Sequence, residues 1–506
     1  MTTGHRIGRR RFLQTGAALT GSALLPQALA EPADGRTSWD EAHDVIVIGT
    51  GFAGLAAAFE AHAAGREVLL VDKRRIPGGN SLINGGYMAA AGSALQRDAG
   101  IEDDPETMLA DMLRAGRELN HEALARTVCE RSVETLDWVV DEFGVEFQDE
   151  PHLLGGHAAA RSHRTRNESG SGIVRPMLDR VRAEGMPLRT EQQVESLIRD
   201  AGGRIVGVRL RSVNGSETRP RHVAARRGLV LAAGGFSADV AYRRIQDPRL
   251  GADLSHTNRP GSDAQPLFMA TDAGALTLQE SWIQLGPWAS PDERGIGIGS
   301  TFNIESTFPY GILVDPDTGA RIVDELADRK TRADAILDRG HPCIALCDAR
   351  AAAREDKLDL LLEEGVVRRF DDLETLAGAW DMPAGALAET VARYNDHVRS
   401  GEDRDFGKRI LEDAQPIAEP PYYAIRTWPK VHHTMGGVHI DADARVLGRD
   451  LEPIPGLYAA GEITGGVHGA VRLGSCAVTD CLVFGRIAGM RAAALGAAGA
   501  GASARA

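Results

Sequence analysis

The stretch that most restricts what this chain can fold into lies near its start. A buried-strand run, Asp44-Val45-Ile46-Val47-Ile48, leads directly into Gly49-Thr50-Gly51-Phe52-Ala53-Gly54 and then an alanine-rich helix predicted over Leu55 to Ala64. Gly65, a second strand over Val68 to Val71, and Asp72 with Lys73 behind it complete the unit. Each part has its own duty in dinucleotide binding. Glycine makes the tight turn and lets backbone approach a pyrophosphate, the helix N-terminus attracts its charge, and the strand-end acid accepts ribose hydroxyls. The glycine pattern alone matches by chance, whereas strand, helix and acid in the required order make it specific. The expectation is an α/β chain whose Rossmann-like domain begins near residue 40.

Further glycine runs indicate how far the bound molecule extends. Gly78-Gly79-Asn80-Ser81 and Gly85-Gly86 follow the second strand, the run 228–235 reads as a strand ending in Ala233-Gly234-Gly235, and Gly456-Leu457-Tyr458-Ala459-Ala460-Gly461-Glu462 opens the final segment. Contacts spread this widely fit a long, extended cofactor and resemble the FAD-binding pattern of flavoproteins. Gly295-Ile296-Gly297-Ile298-Gly299 lacks the following helix, so no dedicated NADPH site is expected.

Composition excludes several classes of function. Net charge is −14 and no basic run occurs outside the N-terminus, which argues against nucleic acid as a partner. The five cysteines show neither CxxC spacing nor CxxCH, so no zinc centre, redox pair or c-type haem is expected, and no metal ligands are assigned. Residues 1–30 read as an export signal: Arg9-Arg10-Arg11-Phe12-Leu13 precedes an apolar stretch from Ala17 to Leu25, and Ala28-Leu29-Ala30 has the form of a cleavage site. The twin arginine resembles a Tat signal, with Gly8 where Ser or Thr is usual, and implies a periplasmic or exported protein. No stretch reaches the length of a stable membrane span.

Two later clusters carry chemistry. His432-His433-Thr434-Met435-Gly436-Gly437 sets an imidazole pair before a glycine turn and a short strand, Val438 to Ile440. Gly465-Gly466-Val467-His468-Gly469-Ala470-Val471-Arg472-Leu473-Gly474 places a permanent cation among glycines, suited to a carboxylate or a phosphate. With the N-terminal unit, and in this order, the clusters resemble the flavoprotein of soluble fumarate reductases, the flavocytochrome c group, and relatives such as urocanate reductase. The resemblance covers nearly all of the chain after the leader.

It implies an FAD domain in two sequence pieces, residues 40–277 and 430–500, with an α+β capping domain, residues 278–429, inserted between them. Helical patterns over Asp324 to Asp338 and Pro383 to Arg399 suit that cap. It also implies that flavin N5 passes hydride to one alkene carbon of an α,β-unsaturated carboxylate while a cap arginine protonates the other. Arg329, at the end of Gly319-Ala320-Arg321-Ile322-Val323-Asp324-Glu325-Leu326-Ala327-Asp328-Arg329, corresponds to that acid. His432 and Arg472 correspond to the pair that clamps one carboxylate and polarises the double bond, and Glu305 to a proton-relay glutamate. Ser475, Ala477 and Val478 are expected to join the cofactor contacts. No histidine lies between His62 and His121 to tether the flavin, so FAD should be dissociable.

The departures from the family pattern bear on substrate. Phe308 stands where the relay arginine would be, and Gly286 and Ile304 replace the groups that hold fumarate's second carboxylate. With Trp288, Phe302 and Phe308 nearby, the sequence favours an acid with one carboxylate and an apolar or aromatic tail over fumarate. The same motifs admit an oxidase or dehydrogenase of a saturated carboxylic or amino acid, or a flavin electron carrier without turnover. The electron donor, a cytochrome, a quinol dehydrogenase or a flavoprotein, is not named by any motif.

Overall fold

The computed structural model describes residues 31–32, 37–215 and 219–497. The leader expected over residues 1–30 lies outside the described residues. Strand β1 (Glu41–Ile48) buries Val45 to Ile48 at its C-terminal end and passes at once into α1 (Phe52–Ala63). The helix starts before the expected Leu55 because the Phe52-Ala53-Gly54 turn is already helical. Two glycines explain how tightly this corner folds. Gly49 has φ +104°, and a Cβ on it would lie 2.2 Å from the Ala232 carbonyl oxygen; a Cβ on Gly54 would lie 2.0 Å from that of Gly49.

Strand β2 (Val68–Val71) pairs parallel to β1 on one side. After the antiparallel pair β3 (Gln192–Arg199) and β4 (Ile205–Ser212), the long strand β5 (Arg221–Leu231) pairs parallel to β1 on its other side.

The chain then leaves this sheet along β6 (Ile283–Gly286). Strands β7 (Ile312–Val314), β8 (Cys343–Cys347), β9 (Val367–Phe370) and β10 (Tyr422–Thr427) form a separate antiparallel sheet in the order β7-β8-β10-β9. Helices α2 (Arg329–Leu337) and α3 (Ala384–Ser400) belong to the same insert. Helix α2 is shorter than its pattern because the Asp328 side chain caps it, accepting the backbone N–H groups of Lys330 and Thr331 at 2.8 and 3.1 Å.

The chain returns along β11 (Lys430–Thr434), antiparallel to β6, and continues through β12 (Gly437–His439). Strand β13 (Pro453–Ala459) then lies parallel to the C-terminal end of β5, Leu457 opposite Leu229. The parallel core therefore reads β2-β1-β5-β13, with its last strand supplied by the far end of the sequence. Helix α4 (Cys476–Ala494) seals it against α1. Cβ atoms on Gly485 and Gly489 would lie 2.5 and 2.2 Å from the carbonyl oxygens of Ala53 and Ala57, so the two helices meet backbone to backbone.

Among the described residues, no helix is long and apolar enough to cross a membrane.

Candidate active site

A cleft opens at the C-terminal ends of the parallel strands, where open α/β sheets bind ligands. Its walls include Gly49, Gly51, Phe52, Ala53, Asp72, Lys73, Gly79, Asn80, Ser81, Ala233, Gly234, Gly461 and Glu462, thirteen of the residues expected to hold the cofactor. Local hydrogen bonds fix this wall. The Asp72 carboxylate accepts the Thr50 hydroxyl and, at 2.8 Å, the Arg74 backbone N–H; Ser81 Oγ accepts the Phe52 N–H at 3.0 Å. At Gly461, φ +77°, a Cβ would reach within 3.0 Å of Cys481 Sγ and 3.1 Å of Ala53 Cβ, so backbone is kept open to a ligand. The glycine lining and the strand-end acid fit an extended dinucleotide.

Six expected cofactor residues do not line the cleft. Gly54 packs under Gly49, and Gly86 packs against Thr165 and Ser169. Gly85 lies beside the Tyr87 ring. Ser475, Ala477 and Val478 form the start of α4, Ser475 having φ +64° and its hydroxyl 2.7 Å from that of Ser162. Conversely, Gln193, Arg259 and Met269 line the cleft without belonging to any glycine motif, which is why motif reading passed over them.

Glu462 links this cleft to a second pocket. Its Oε1 accepts the Thr434 backbone N–H at 3.0 Å, and burial pushes its carboxyl up to about 7. Thr434 ends β11, whose pairing with β6 slips between Gln284 and Leu285: Gln284 faces His433, and Leu285 faces Val431. His432 is thus the extra residue of a β-bulge, a device that re-aims a side chain out of strand alternation. Two adjacent histidines accordingly do different things. His432 Nδ1 lies 2.8 Å from Thr257 Oγ1, with the ring edge-on to Trp288 at 5.1 Å. His433 turns toward His468 at 5.7 Å, and His468 Nε2 lies 3.1 Å from Asp480 Oδ2.

Arg329, at the first position of α2, reaches the same pocket. Its Nη1 donates to Gln284 Oε1 at 3.2 Å, and Gln284 Nε2 donates to the Arg472 carbonyl at 2.9 Å. Gln284 therefore spaces the two arginines, a role that no sequence signal announced. The neighbouring acids are otherwise engaged: Asp328 caps α2, and Asp334 binds Lys330 and Arg249. With no carboxylate partner recorded among the described residues, burial first, then Arg472 and Arg332, push the Arg329 guanidinium well below its ordinary value. Burial, Arg472 and Arg329 likewise hold His432 well below the ordinary imidazole value, so its ring is neutral at neutral pH. Arg472 is 6% exposed; its Nη1 donates to the Leu473 carbonyl at 2.9 Å, while its buried Nε has no partner.

A buried network supports the turn beside this pocket. Arg161, fully buried, donates to Asp103 and Asp111 and, at 3.2 Å, to His157 Nδ1. That leaves His157 Nε2–H to donate to the Gly474 carbonyl at 2.9 Å. Gly474 in turn borders Arg329, since a Cβ on it would lie 3.6 Å from Arg329 Nη2.

The structure does not bring Glu305 to Arg329. Glu305 is exposed beside Arg164, its carboxyl raised by partial desolvation, and the Phe308 ring is stacked under Arg332 at 4.9 Å. Phe302 and Phe308 are sealed in the cap core, whereas Ile304 is 42% exposed.

A family model described as FAD binding domain matches residues 44–478. The chain belongs to that family. Its cofactor is FAD, and it is an oxidoreductase acting on CH–CH groups of the soluble fumarate reductase kind. It is 39% identical to the acrylate reductase flavoprotein subunit of Shewanella woodyi, over 96% of this chain and 99% of that one. It is 33% identical to urocanate reductase of Eggerthella lenta, over 89% and 75% respectively. The open conformation of a flavocytochrome c3 fumarate reductase superposes with a TM-score of 0.75 at 32% identity, covering 90% of this chain and 79% of that one. The FAD-binding core and inserted cap expected from the motifs are thus both present.

Proposed function

We propose that this protein is an exported reductase of the C=C bond of an α,β-unsaturated carboxylate, with residues 40–277 and 430–500 as its FAD domain and 278–429 as its cap. The observation that carries the reading is a half-buried guanidinium, Arg329, which donates to Gln284, has no carboxylate partner among the described residues, and lies next to a second cation and a neutral imidazole. FAD, when bound and reduced, supplies the hydride. Arg472 pairs with the substrate carboxylate, and His432 donates to it through Nε2–H when the Thr257 hydroxyl donates to Nδ1. Together they draw electron density toward the carboxylate and leave the β-carbon electron-poor. Arg329 gives its proton to the α-carbon as the β-carbon gains hydride, and regains a proton from water through the cap. Its depressed proton affinity suits an acid that must release a proton in the closed pocket. The reducing equivalents come from a cytochrome, a quinol dehydrogenase or a flavoprotein.

The test is reoxidation of the reduced enzyme by a panel of enoates, for the wild type and Arg329→Ala. The variant should keep its FAD and its affinity for the saturated acid, yet lose about 10²- to 10⁴-fold in rate, the usual span for a general acid. Near-normal turnover by Arg329→Ala would remove it from the chemistry, and aerobic turnover of saturated acids alone would reverse the assigned direction.

A further inference from the structure

One aromatic side chain touches both the proposed acid and the histidine of the carboxylate clamp. Trp288 is 5% exposed, and its indole lies directly on the backbone of Gly286: a Cβ at 286 would meet ring atoms at 2.8, 2.9 and 3.1 Å. On its other sides the ring meets His432 edge-on at 5.1 Å, and the Arg329 guanidinium lies 4.9 Å from an indole ring centroid. The Trp288 backbone is also tied down. Its carbonyl accepts Asn303 Nδ2 at 2.9 Å, and Asn303 Nδ2 also donates to Thr427 Oγ1 at 3.2 Å. The glycine at 286 is therefore the seat that admits an indole between the acid and the clamp, rather than simply a missing polar group.

We propose that Trp288, seated on Gly286, is the specificity-determining residue of the site and restricts it to short α,β-unsaturated monocarboxylates of about acrylate size. This inference rests on the reductase reading above and deepens it. Volume is the first reason: the space that a tail on the β-carbon would need is filled by a ring whose neighbours hold it on several sides. Charge is the second. An aromatic face carries the negative side of its quadrupole, so it repels a second carboxylate that a cation or hydroxyl would otherwise hold. Both long-tailed enoates and dicarboxylates are disfavoured, by one side chain and for different causes. The aromatic tail anticipated from the sequence is thus replaced by an aromatic residue of the protein itself.

The experiment compares wild type, Trp288→Phe and Trp288→Ala on acrylate, crotonate, cinnamate and fumarate. FAD content serves as the fold check, and thermal shifts by propionate and 3-phenylpropionate serve as a binding readout independent of turnover. Wild type should favour acrylate over cinnamate by about 100-fold in kcat/KM, the scale on which an enclosed apolar pocket discriminates by size. Trp288→Ala, retaining FAD, should lower that ratio at least ~10-fold and acquire a thermal shift from 3-phenylpropionate, with Trp288→Phe in between. Cinnamate serving the wild type as well as acrylate, or an unchanged ratio in Trp288→Ala, would overturn the proposal. If no enoate is turned over while propionate and 3-phenylpropionate still bind in the expected order, the reductase reading fails and the size filter stands.

Discussion

Replacing Arg472 with methionine separates binding chemistry from folding. In the wild type this guanidinium is buried, makes one recorded side-chain hydrogen bond, to the Leu473 carbonyl, and leaves Nε unpaired. His432 beside it is held neutral, so Arg472 supplies the permanent charge for the substrate carboxylate. A guanidinium commonly meets a carboxylate through two parallel hydrogen bonds. At about 1.5–3 kcal/mol for each charge-assisted bond, their loss amounts to about 3–6 kcal/mol. That corresponds to about 10²- to 10⁴-fold in kcat/KM. The methionine stem keeps the packing and removes a desolvated cation beside Arg329, a change that is neutral or stabilising in buried ion sites. The assay pairs steady-state kinetics on acrylate with thermal melting of the same FAD-loaded preparations. The expected variant melts no lower than wild type while losing at least about 100-fold in kcat/KM. Activity within tenfold of wild type, or a loss that only tracks a lower melting temperature, would refute the assignment of Arg472 as carboxylate clamp.

Two further outcomes follow from named contacts. Gly49→Ala should yield colourless protein when the FAD absorbance of the purified chain is measured, because its Cβ would lie 2.2 Å from a backbone oxygen in a left-handed conformation. His157, pushed down to about 4 by burial, stays neutral in the fold, so its contribution to stability is complete above the ordinary 6.5 and is lost as pH falls toward 4. Urea unfolding at about pH 7 and about pH 4.5 should therefore show a smaller loss for His157→Gln than for wild type, by up to ~3 kcal/mol; equal losses would remove His157 from the acid response.

The parallel core was legible because its signals are local: Val45 to Ile48, the glycine turn and Asp72 sit in one unbroken run, each with its own backbone requirement. Arg329, His432 and Arg472 were found through separated motifs, and the fold does gather them. What stayed hidden depends on register and on side-chain direction across distant segments. The bulge at His432 exists only in the pairing of β6 with β11, where Gln284 meets His433 from about 150 positions away in sequence. Gln284 bridges two arginines only once that ribbon is formed. Gly286 read in the sequence as a missing carboxylate-holding group, and in the fold it is also the floor beneath Trp288. Glu305, a motif position expected in the proton relay, is exposed in the fold near Arg164.

The apolar cluster of Leu250, Leu254, Leu285, Ala333 and Val431 ties α2 to both strands of the β6-β11 ribbon. Arg329 and His432 are consequently mounted on one support, and Ile336 of α2 also packs with Cys343, Ala345 and Ile425 of the antiparallel sheet β7-β8-β10-β9. Any shift of that outer sheet is therefore passed to α2 and so to Arg329. Substitutions in the core of the outer sheet are thereby able to reach the acid at a distance, so a lineage could retune the placement of Arg329 without replacing any residue that touches substrate.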